Sequence, residues 1–188
     1  MPNLYIIAGC NGAGKTTASF TVLPEMLNCW EFVNADEIAK GLSPFRPDKA
    51  AFESGRIMLN RINELLSEGK DFAFETTLST RSYVPFVKKA NQVGYKVTLL
   101  FFWLDSSSTA KERVKYRVKH GGHNIPEDVI ERRYNRGIQN LIKLYISIVD
   151  YWIIFDNTSE PELVAEGLNS VDFNINNPDI WGKILNGQ

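Results

Sequence analysis

The sequence predicts an α/β fold of three layers, in which helices cover a mostly parallel sheet of five strands. Short apolar runs alternate along the chain with helical patterns of about ten residues or more, which is the arrangement of βαβ units. The 188 residues are 44% hydrophobic and 23% charged, which excludes a disordered chain, a disulfide-stabilised miniprotein and a collagen-like fibre. We therefore expect residues 1–188 to form a single domain.

Apolar, β-rich runs predict the five strands at residues 4–8, 31–34, 72–74, 97–104 and 151–155. Helices are predicted between them at residues 15–22, 48–67 and 83–93. In the long helix, apolar side chains at helical spacing predict a buried face made of Phe52, Leu59, Ile62 and Leu66. Residues from 171 onward are rich in Asn and weakly patterned, and no element is assigned there.

Residues 9–16 read Gly-Cys-Asn-Gly-Ala-Gly-Lys-Thr and match the phosphate-binding pattern G-x-x-x-x-G-K-[ST] in full. Its glycines let successive N–H groups converge on one anion, and the next helix directs its positive dipole end at the phosphates. Lys15 is expected to act catalytically on the β- and γ-phosphates of ATP, and Thr16 to ligate Mg²⁺. The expected ATP contacts of this P-loop are Gly9, Asn11, Gly12, Ala13, Gly14, Lys15, Thr16 and Thr17.

Motifs that are absent from the sequence exclude several classes of P-loop protein. The sequence has no Asn-Lys-x-Asp for guanine recognition and no Ser-Gly-Gly-Gln of transporter ATPases. It also lacks a long apolar strand that ends in Asp-Glu, as in ring-forming motors. Compact phosphotransferases remain, and these place an acidic residue after the second strand and arginines in a lid.

Acidic and hydroxyl side chains follow the second and third predicted strands, whose carboxyl ends face the ligand crevice of a parallel sheet. Asp36 is the candidate general base for an attacking alcohol, and the alternative is that it caps the next helix. Glu75, Thr76 and Thr77 are candidates to hydrogen-bond a polar substrate or to bind Mg²⁺ through water. The alternative for these three residues is that they belong to a polar cluster at the start of a helix.

Positive charge is concentrated in one segment, although the net charge of the chain is only −1. Residues 111–143 hold nine basic and four acidic side chains, a local charge of +5, which is expected to face an anion. We expect a lid at about residues 109–145, formed by two helices that meet at a hinge of paired glycines. The residues predicted to face the core are Ala110, Val114, Val118, Ile130, Tyr134, Ile138, Leu141 and Tyr145.

Arginines beside these apolar positions are the candidate phosphate contacts of the lid. Arg113, Arg117 and Arg133 border the buried stripes, whereas Arg132 and Arg136 point further away. Arginines so placed neutralise charge on a phosphoryl group during its transfer. The alternative is that these arginines form a basic face exposed to solvent and contact no phosphate.

Asp156 and Asn157 directly follow the fifth predicted strand. In this topology their loop is expected beside the base of the nucleotide, so we count both residues among the ATP contacts. A plain turn accounts for them almost equally well.

The sequence predicts a cytoplasmic protein without a membrane partner. Its first residues lack the basic and apolar regions of a secretory signal. The longest apolar run, at residues 99–104, is far shorter than the ~20 residues of a membrane span. The two cysteines, Cys10 and Cys29, have no metal-like spacing.

These residues together resemble the zeta-toxin-like P-loop kinases, over roughly residues 3–165. The resemblance is specific in order and spacing, including an Arg-rich lid with paired glycines. The matching features are the P-loop at 9–16, Asn34-Ala35-Asp36, Glu75-Thr76-Thr77, the run from Arg113 through Gly121-Gly122-His123 to Arg132-Arg133, and Asp156-Asn157.

The resemblance implies a nucleotide-kinase-like fold with a helical lid and an ATP- and Mg²⁺-dependent kinase. Zeta toxins phosphorylate the sugar 3′-hydroxyl of UDP-N-acetylglucosamine, and a small antitoxin protein blocks their ATP site. By position, Asp36 is the general base, and Arg117 and Arg133 are the catalytic contacts to ATP. The residues implied to hold the sugar nucleotide are Asp36, Glu75, Thr76 and Thr77.

Two other functions remain open beside a phosphotransferase for a small hydroxylated substrate. One is an ATP-binding regulatory or interaction module with weak ATPase activity. The other is a polynucleotide 5′-kinase, for which the basic segment is the motive. Aromatic residues are not interleaved through that segment as in a stacking platform, which argues against a nucleic-acid partner.

Overall fold

The computed structural model describes residues 1–122, 124–168 and 170–187, so His123 of the predicted lid lies outside the described residues. In this part of the chain one sheet of seven strands has the order β2-β3-β1-β4-β5-β6-β7. The strands are β1 (Asn3–Gly9), β2 (Phe32–Val33), β3 (Phe72–Thr76), β4 (Lys96–Trp103), β5 (Tyr151–Asp156), β6 (Glu162–Leu168) and β7 (Asp172–Ile175).

Helices connect most of these strands, and three of them are extended by short turns of other helical types. The helices are α1 (Lys15–Thr21), α2 (Ala35–Leu42), α3 (Ala51–Glu68), α4 (Val84–Gln92), α5 (Ser107–Lys119), α6 (Glu127–Asn140) and α7 (Pro178–Leu185). A 3₁₀ turn (Pro47–Ala50) precedes α3, and π-helical turns (Val22–Met26 and Leu141–Tyr145) follow α1 and α6. None of the described helices is long and apolar enough to cross a membrane.

The predicted α/β fold with a mostly parallel sheet is confirmed, but the predicted number of five strands is wrong. The first five strands pair in parallel close to their predicted positions. β6 and β7 then extend the sheet with antiparallel pairs. The side chains of β7 are all exposed, and its alternation of Phe173 and Ile175 with polar residues covers only four positions, which is too short to predict a strand.

The buried face of α3 also differs from the prediction. Phe52 is 88% exposed and Leu59 is 43% exposed, whereas Ile62 and Leu66 are buried as predicted. The observed stripe runs through Ser54, Met58, Ile62 and Leu65, which are spaced i, i+4, i+8 and i+11. The stripe was not predicted because its first member, Ser54, is polar. Ser54 can be buried because its hydroxyl donates a hydrogen bond to the carbonyl of Ala51 at 3.0 Å.

Parallel pairing brings the functional segments together at one edge of the sheet. Ile7 and Ala8 of β1 lie beside Glu75 and Thr76 of β3. The P-loop therefore starts next to the acidic end of β3, and α2 begins after β2 on the far side of that strand. Because the carboxyl ends of parallel strands share an edge, residues far apart in sequence become neighbours.

Candidate nucleotide and acceptor site

The P-loop between β1 and α1 depends on glycines for its backbone conformation and is hydrogen-bonded by Asn157. Gly12 and Gly14 both have a φ of +82°, and a Cβ on Gly14 would lie 2.5 Å from Nδ2 of Asn157. That amide donates to the carbonyl of Ala13 at 2.7 Å, and the backbone N–H of Asn157 donates to Trp103 at 2.9 Å. The loop is thereby tied to the end of β4.

Glu75 is the hub of a buried network under the P-loop. Its Oε2 accepts hydrogen bonds from the hydroxyl of Thr16 at 2.7 Å and from the amide of Asn34 at 2.8 Å. Its Oε1 lies 3.5 Å from Nζ of Lys15, which also donates to the carbonyl of Cys10 at 3.0 Å. The network connects the P-loop, β3 and the start of α2 through one carboxylate.

A cavity of about 550 Å³ opens over the P-loop. Arg113 and Arg117 line it from α5, and the paired glycines after α5 complete its wall. Arg113 donates to the carbonyls of Gly12 at 3.4 Å and Thr158 at 2.8 Å, so α5 is fixed to the loop. The lining residues are Asn11, Gly12, Gly14, Lys15, Thr16, Thr17, Asp36, Glu37, Lys40, Glu75, Arg113, Arg117, His120, Gly121 and Gly122.

Asp36 lies in the first turn of α2, but it does not cap this helix. The cap is Asn34, whose Oδ1 accepts from the N–H groups of Asp36 at 2.8 Å and Glu37 at 3.4 Å. The capping alternative for Asp36 is therefore wrong. Burial lowers the pKa of the Arg133 guanidinium on α6, and the negative charge of the Asp36 carboxylate opposes this shift.

A second cavity, of about 310 Å³, lies on the other side of Asp36. It shares Asn11, Lys15, Asp36 and Glu75 with the P-loop cavity. Its remaining lining residues are Asn34, Ala35, Met58, Thr76, Thr77, Ser79, Thr80, Ser82, Tyr83 and Arg133. We call the loop at 77–83, which supplies most of the hydroxyl groups, the acceptor loop.

Helix α6 holds the acceptor loop in a strained conformation. Leu78 is fully buried and has a φ of +53°, which is rare for a residue other than glycine. Asn140 donates to the carbonyl of Leu78 at 2.6 Å, and a Cβ on Gly137 would lie 2.7 Å from the carbonyl oxygen of Thr77. Close backbone packing against α6 therefore sets the position of the loop.

Helices α5 and α6, the predicted lid, bury the apolar residues that helical spacing predicts. Ala110, Val114, Ile130 and Tyr134 are all buried, and Val118 packs against the core. Arg113, Arg117 and Arg133 line a cavity, whereas the exposed Arg132 faces Asp128 at 3.8 Å and Arg136 is also exposed. The burial pattern thus separates the inner from the outer arginines.

Asp156 is the last residue of β5, Asn157 follows it, and neither of these predicted ATP contacts lines a cavity at the site. The Oδ1 of Asp156 accepts hydrogen bonds from the N–H of Thr158 at 2.8 Å and from the hydroxyl of Thr158 at 2.5 Å. Asn157 braces Ala13 as described above. Gly9 likewise lines neither cavity, and a Cβ there would lie 2.3 Å from the carbonyl oxygen of Phe102 in β4.

Sequence reasoning missed Asn34 as a site residue, although it links Glu75 to α2. The signal was present, since an Asn followed by Ala-Asp-Glu is a typical start of a helix. Cys10 of the P-loop is a buried free cysteine. Burial raises the pKa of its thiol to about 11, so it stays protonated at neutral pH.

The strand order and the P-loop define an α/β protein with a P-loop kinase-like fold. A family model described as an AAA domain matches residues 4–141, and the chain belongs to this family. An uncharacterized protein of Haemophilus influenzae (strain ATCC 51907 / DSM 11121 / KW20 / Rd) is 32% identical over 127 residues, which are 67% of this chain and 88% of that protein.

Solved structures with low sequence identity share the fold. The AvrRxo1-ORF1:-ORF2 complex with ATP matches with a TM-score of 0.79 and 18% identity, over 100% of this chain and 64% of that chain. The chain thus spans less than two thirds of that protein. A structure from the PezAT chromosomal toxin-antitoxin system of Streptococcus pneumoniae matches with a TM-score of 0.68 and 17% identity, over 88% of this chain and 72% of that chain.

Proposed function

We propose that the protein is an ATP-dependent phosphotransferase that moves the γ-phosphate to a hydroxyl of a small substrate. The observation that carries this proposal is the position of Asp36 between two cavities that share Lys15 and Glu75. One cavity is basic and lies over the P-loop, and the other is lined by hydroxyl groups. A phosphate donor and an alcohol bound in the two cavities would meet beside this carboxylate.

The residues over the P-loop fit ATP with Mg²⁺. The positive φ angles of Gly12 and Gly14 open the loop as an anion cradle, and the first turn of α1 contains no acidic residue. Thr16 and Glu75 supply the hard oxygen ligands that Mg²⁺ prefers. A bound Mg²⁺ would neutralise charge on the phosphates, and Lys15 with Arg113 and Arg117 would add to that effect.

In this proposal Asp36 accepts the proton of the attacking hydroxyl. A carboxylate in hydrogen-bonding reach of an alcohol serves as a general base without a large pKa shift. Arg133 and Arg117, on α6 and α5, approach the reacting groups from two directions and stabilise the transferring phosphoryl charge. We infer that these helices act as the lid at residues 109–145.

The acceptor implied by the resemblance to zeta toxins is UDP-N-acetylglucosamine, and the implied partner is a small antitoxin protein. The likeness to a structure of the PezAT toxin-antitoxin system supports a zeta-toxin-like relationship. The antitoxin would act by covering the cavity over the P-loop. A partner bound there should be displaced by excess ATP.

Removal of the proposed base tests the reaction directly. In Asp36→Asn we expect phosphoryl transfer from ATP with Mg²⁺ to fall by roughly 10²- to 10⁴-fold, the usual contribution of a general base. ATP affinity should change little, because Lys15 and the P-loop remain intact. Transfer is measured with γ-labelled ATP and a panel of hydroxylated metabolites that includes UDP-N-acetylglucosamine. Asp179→Asn, in the first turn of α7, is the matched control. Transfer unaffected by Asp36→Asn would contradict the assignment.

The second cavity, lined by hydroxyl groups beside Asp36, favours an enzyme over an ATP-binding regulatory module. Such a module needs no hydroxyl-lined space beside Asp36, and its partner binding would depend on ATP but survive Asp36→Asn. If no acceptor is labelled and a partner is captured only with ATP, the module replaces the enzyme. A polynucleotide 5′-kinase would instead bind oligonucleotides with steep salt dependence.

A further inference from the structure

The cavity on the acceptor side of Asp36 is lined mainly by hydroxyl groups, which come from Thr76, Thr77, Ser79, Thr80 and Ser82. Two pairs of them hydrogen-bond to each other, Thr77 with Ser79 at 2.9 Å and Thr80 with Ser82 at 2.8 Å. A hydroxyl both donates and accepts, so each pair is able to exchange its internal bond for one to a ligand. This lining matches a ligand whose polar groups are themselves hydroxyls.

The charged side chains of this cavity balance one another. Among its described lining residues, the cations Lys15 and Arg133 face the anions Asp36 and Glu75. Both cations are engaged on the P-loop side: Lys15 donates to a loop carbonyl at 3.0 Å, and Arg133 donates to the side chain of Asn11 at 3.2 Å. A diphosphate, which proteins usually hold with arginines and lysines, would therefore find little positive charge here.

The helices α2 and α4 begin at the rim of the cavity, and their first turns do not make up for the lack of free positive charge. The first turn of α2 donates two N–H groups to the side chain of Asn34, at 2.8 and 3.4 Å. In α4 the N–H of Val84 donates to the carbonyl of Arg81 at 3.1 Å, and the next residue is Pro85, which has no N–H. The N–H groups of Asp36, Glu37 and Val84 are therefore already used, and Pro85 has none, so both helix starts offer few free donors to a phosphate.

The size and lining of the cavity also favour a small, hydroxylated ligand. A volume of about 310 Å³ is at the small end of the roughly 300–1,000 Å³ that small-molecule sites occupy. One wall is formed by Tyr83, whose hydroxyl lies 3.6 Å from the sulfur of Met58. An aromatic ring and a thioether in the same lining as several hydroxyls suit a compact molecule with a carbon skeleton and many hydroxyl groups.

We propose that the acceptor is a small polyol or monosaccharide with at most one negative charge, and not a sugar attached to a nucleoside diphosphate. This inference rests on the proposed phosphotransferase function and replaces the acceptor implied by the zeta-toxin resemblance. The acceptor oxygen forms a bond to the γ-phosphorus while the bond from that phosphorus to the β,γ-bridging oxygen breaks. ADP leaves, and the hydroxyl proton passes to Asp36.

The experiment compares acceptors that share a sugar. The full chain with ATP and Mg²⁺ is incubated with N-acetylglucosamine, with UDP-N-acetylglucosamine, and with a panel of free hexoses, sugar alcohols and sugar acids. Products are identified by mass spectrometry. We expect the best free compound to exceed UDP-N-acetylglucosamine in kcat/KM by roughly tenfold or more, because a diphosphate would lie unpaired in the cavity. Higher kcat/KM for UDP-N-acetylglucosamine would overturn the inference and leave the phosphotransferase intact.

A binding measurement separates this inference from the proposed function. If no compound is phosphorylated, the phosphotransferase fails, and the acceptor class is decided by calorimetry on Asp36→Asn saturated with ATP. Tighter binding of a free sugar or polyol supports the inference. Tighter binding of UDP-N-acetylglucosamine, or of neither class, overturns it.

A pair of matched variants then tests the hydroxyl lining itself. Ser79→Ala should weaken acceptor binding several-fold with unchanged ATP affinity. Ser67→Ala, at an exposed hydroxyl on α3, should change neither. Equal acceptor binding in the two variants would count against a role for the acceptor loop.

Discussion

At the scale of single residues, Glu75 carries the most connections in the candidate site. Its two carboxylate oxygens contact three side chains, with Thr16 of α1 and the α2 cap Asn34 on one oxygen and Lys15 of α1 near the other. Buried charges are stable only when they are paired or hydrogen-bonded, which explains this crowding. The same carboxylate beside Thr16 is where a metal bound to ATP would be held.

Replacement of Glu75 by glutamine should separate its metal role from its structural role. In Glu75→Gln we expect the gain in ATP affinity that Mg²⁺ provides to shrink by roughly ten- to a hundredfold, since a charged contact contributes about 1.5–3 kcal/mol. ATP without metal should bind no more weakly, because Lys15 loses a competing anion. Calorimetry with and without Mg²⁺ measures both effects, and Glu68→Gln at an exposed position is the control. An unchanged effect of Mg²⁺ would exclude Glu75 from the metal site.

At the scale of secondary-structure elements, α6 serves both sides of the site. Arg133 reaches Asn11 of the P-loop, and one turn later Gly137 packs against the backbone of the acceptor loop. Asn140, buried at the end of the helix, donates to the carbonyl of Leu78. A shift of α6 would therefore move Arg133, the proposed phosphate contact, and the acceptor loop together.

Two glycine substitutions in helices should have opposite effects on stability. A Cβ on Gly137 would lie 2.7 Å from a backbone oxygen, so Gly137→Ala is expected to destabilise the fold by about 1–3 kcal/mol and to raise the acceptor KM. Gly55 in α3 has open space where a methyl group would lie, with no neighbouring atom within 4 Å, so Gly55→Ala should stabilise by up to about 1 kcal/mol. Urea denaturation measures both. Equal stability of the two variants would show that α6 does not press on the loop.

At the scale of the whole molecule, the site and the far edge of the sheet are separate in space. The P-loop follows β1 in the middle of the sheet, whereas β6 and β7 lie beyond β5. That far edge is closed by aromatic packing, with the rings of Trp152 and Trp181 stacked at 5.7 Å and Phe173 beside them. The extension therefore stabilises the sheet without lining either cavity.

Loss of this packing should reduce stability and spare nucleotide binding. Trp181→Ala is expected to lower the free energy of unfolding by about 3–5 kcal/mol, because a large ring leaves a buried position. Leu185→Ala, on the same helix but 52% exposed, should change it by less than about 0.5 kcal/mol. Denaturant titrations give the stabilities, and calorimetry on the folded proteins gives ATP affinity. Weaker ATP binding by folded Trp181→Ala would mean that the two regions are coupled.

Local patterns were sufficient where an element is buried and regular. The strands β1, β3, β4 and β5 are apolar runs inside the sheet, and the stripes of α5 and α6 repeat every three to four residues, so the predicted burial of these elements is confirmed. The patterns failed at exposed or polar positions. β7 has no buried side chain, and the buried face of α3 starts with Ser54.

The sequence by itself determined the P-loop, the parallel strands around it and the candidate residues, because these depend on local chemistry and short-range periodicity. Only the tertiary structure decided which of them meet. Register between β1 and β3 places Glu75 beside the P-loop, and the packing of α6 closes a small, hydroxyl-lined cavity on the far side of Asp36. These contacts join residues from distant parts of the chain, so no local pattern encodes them; sheet pairing and helix packing do.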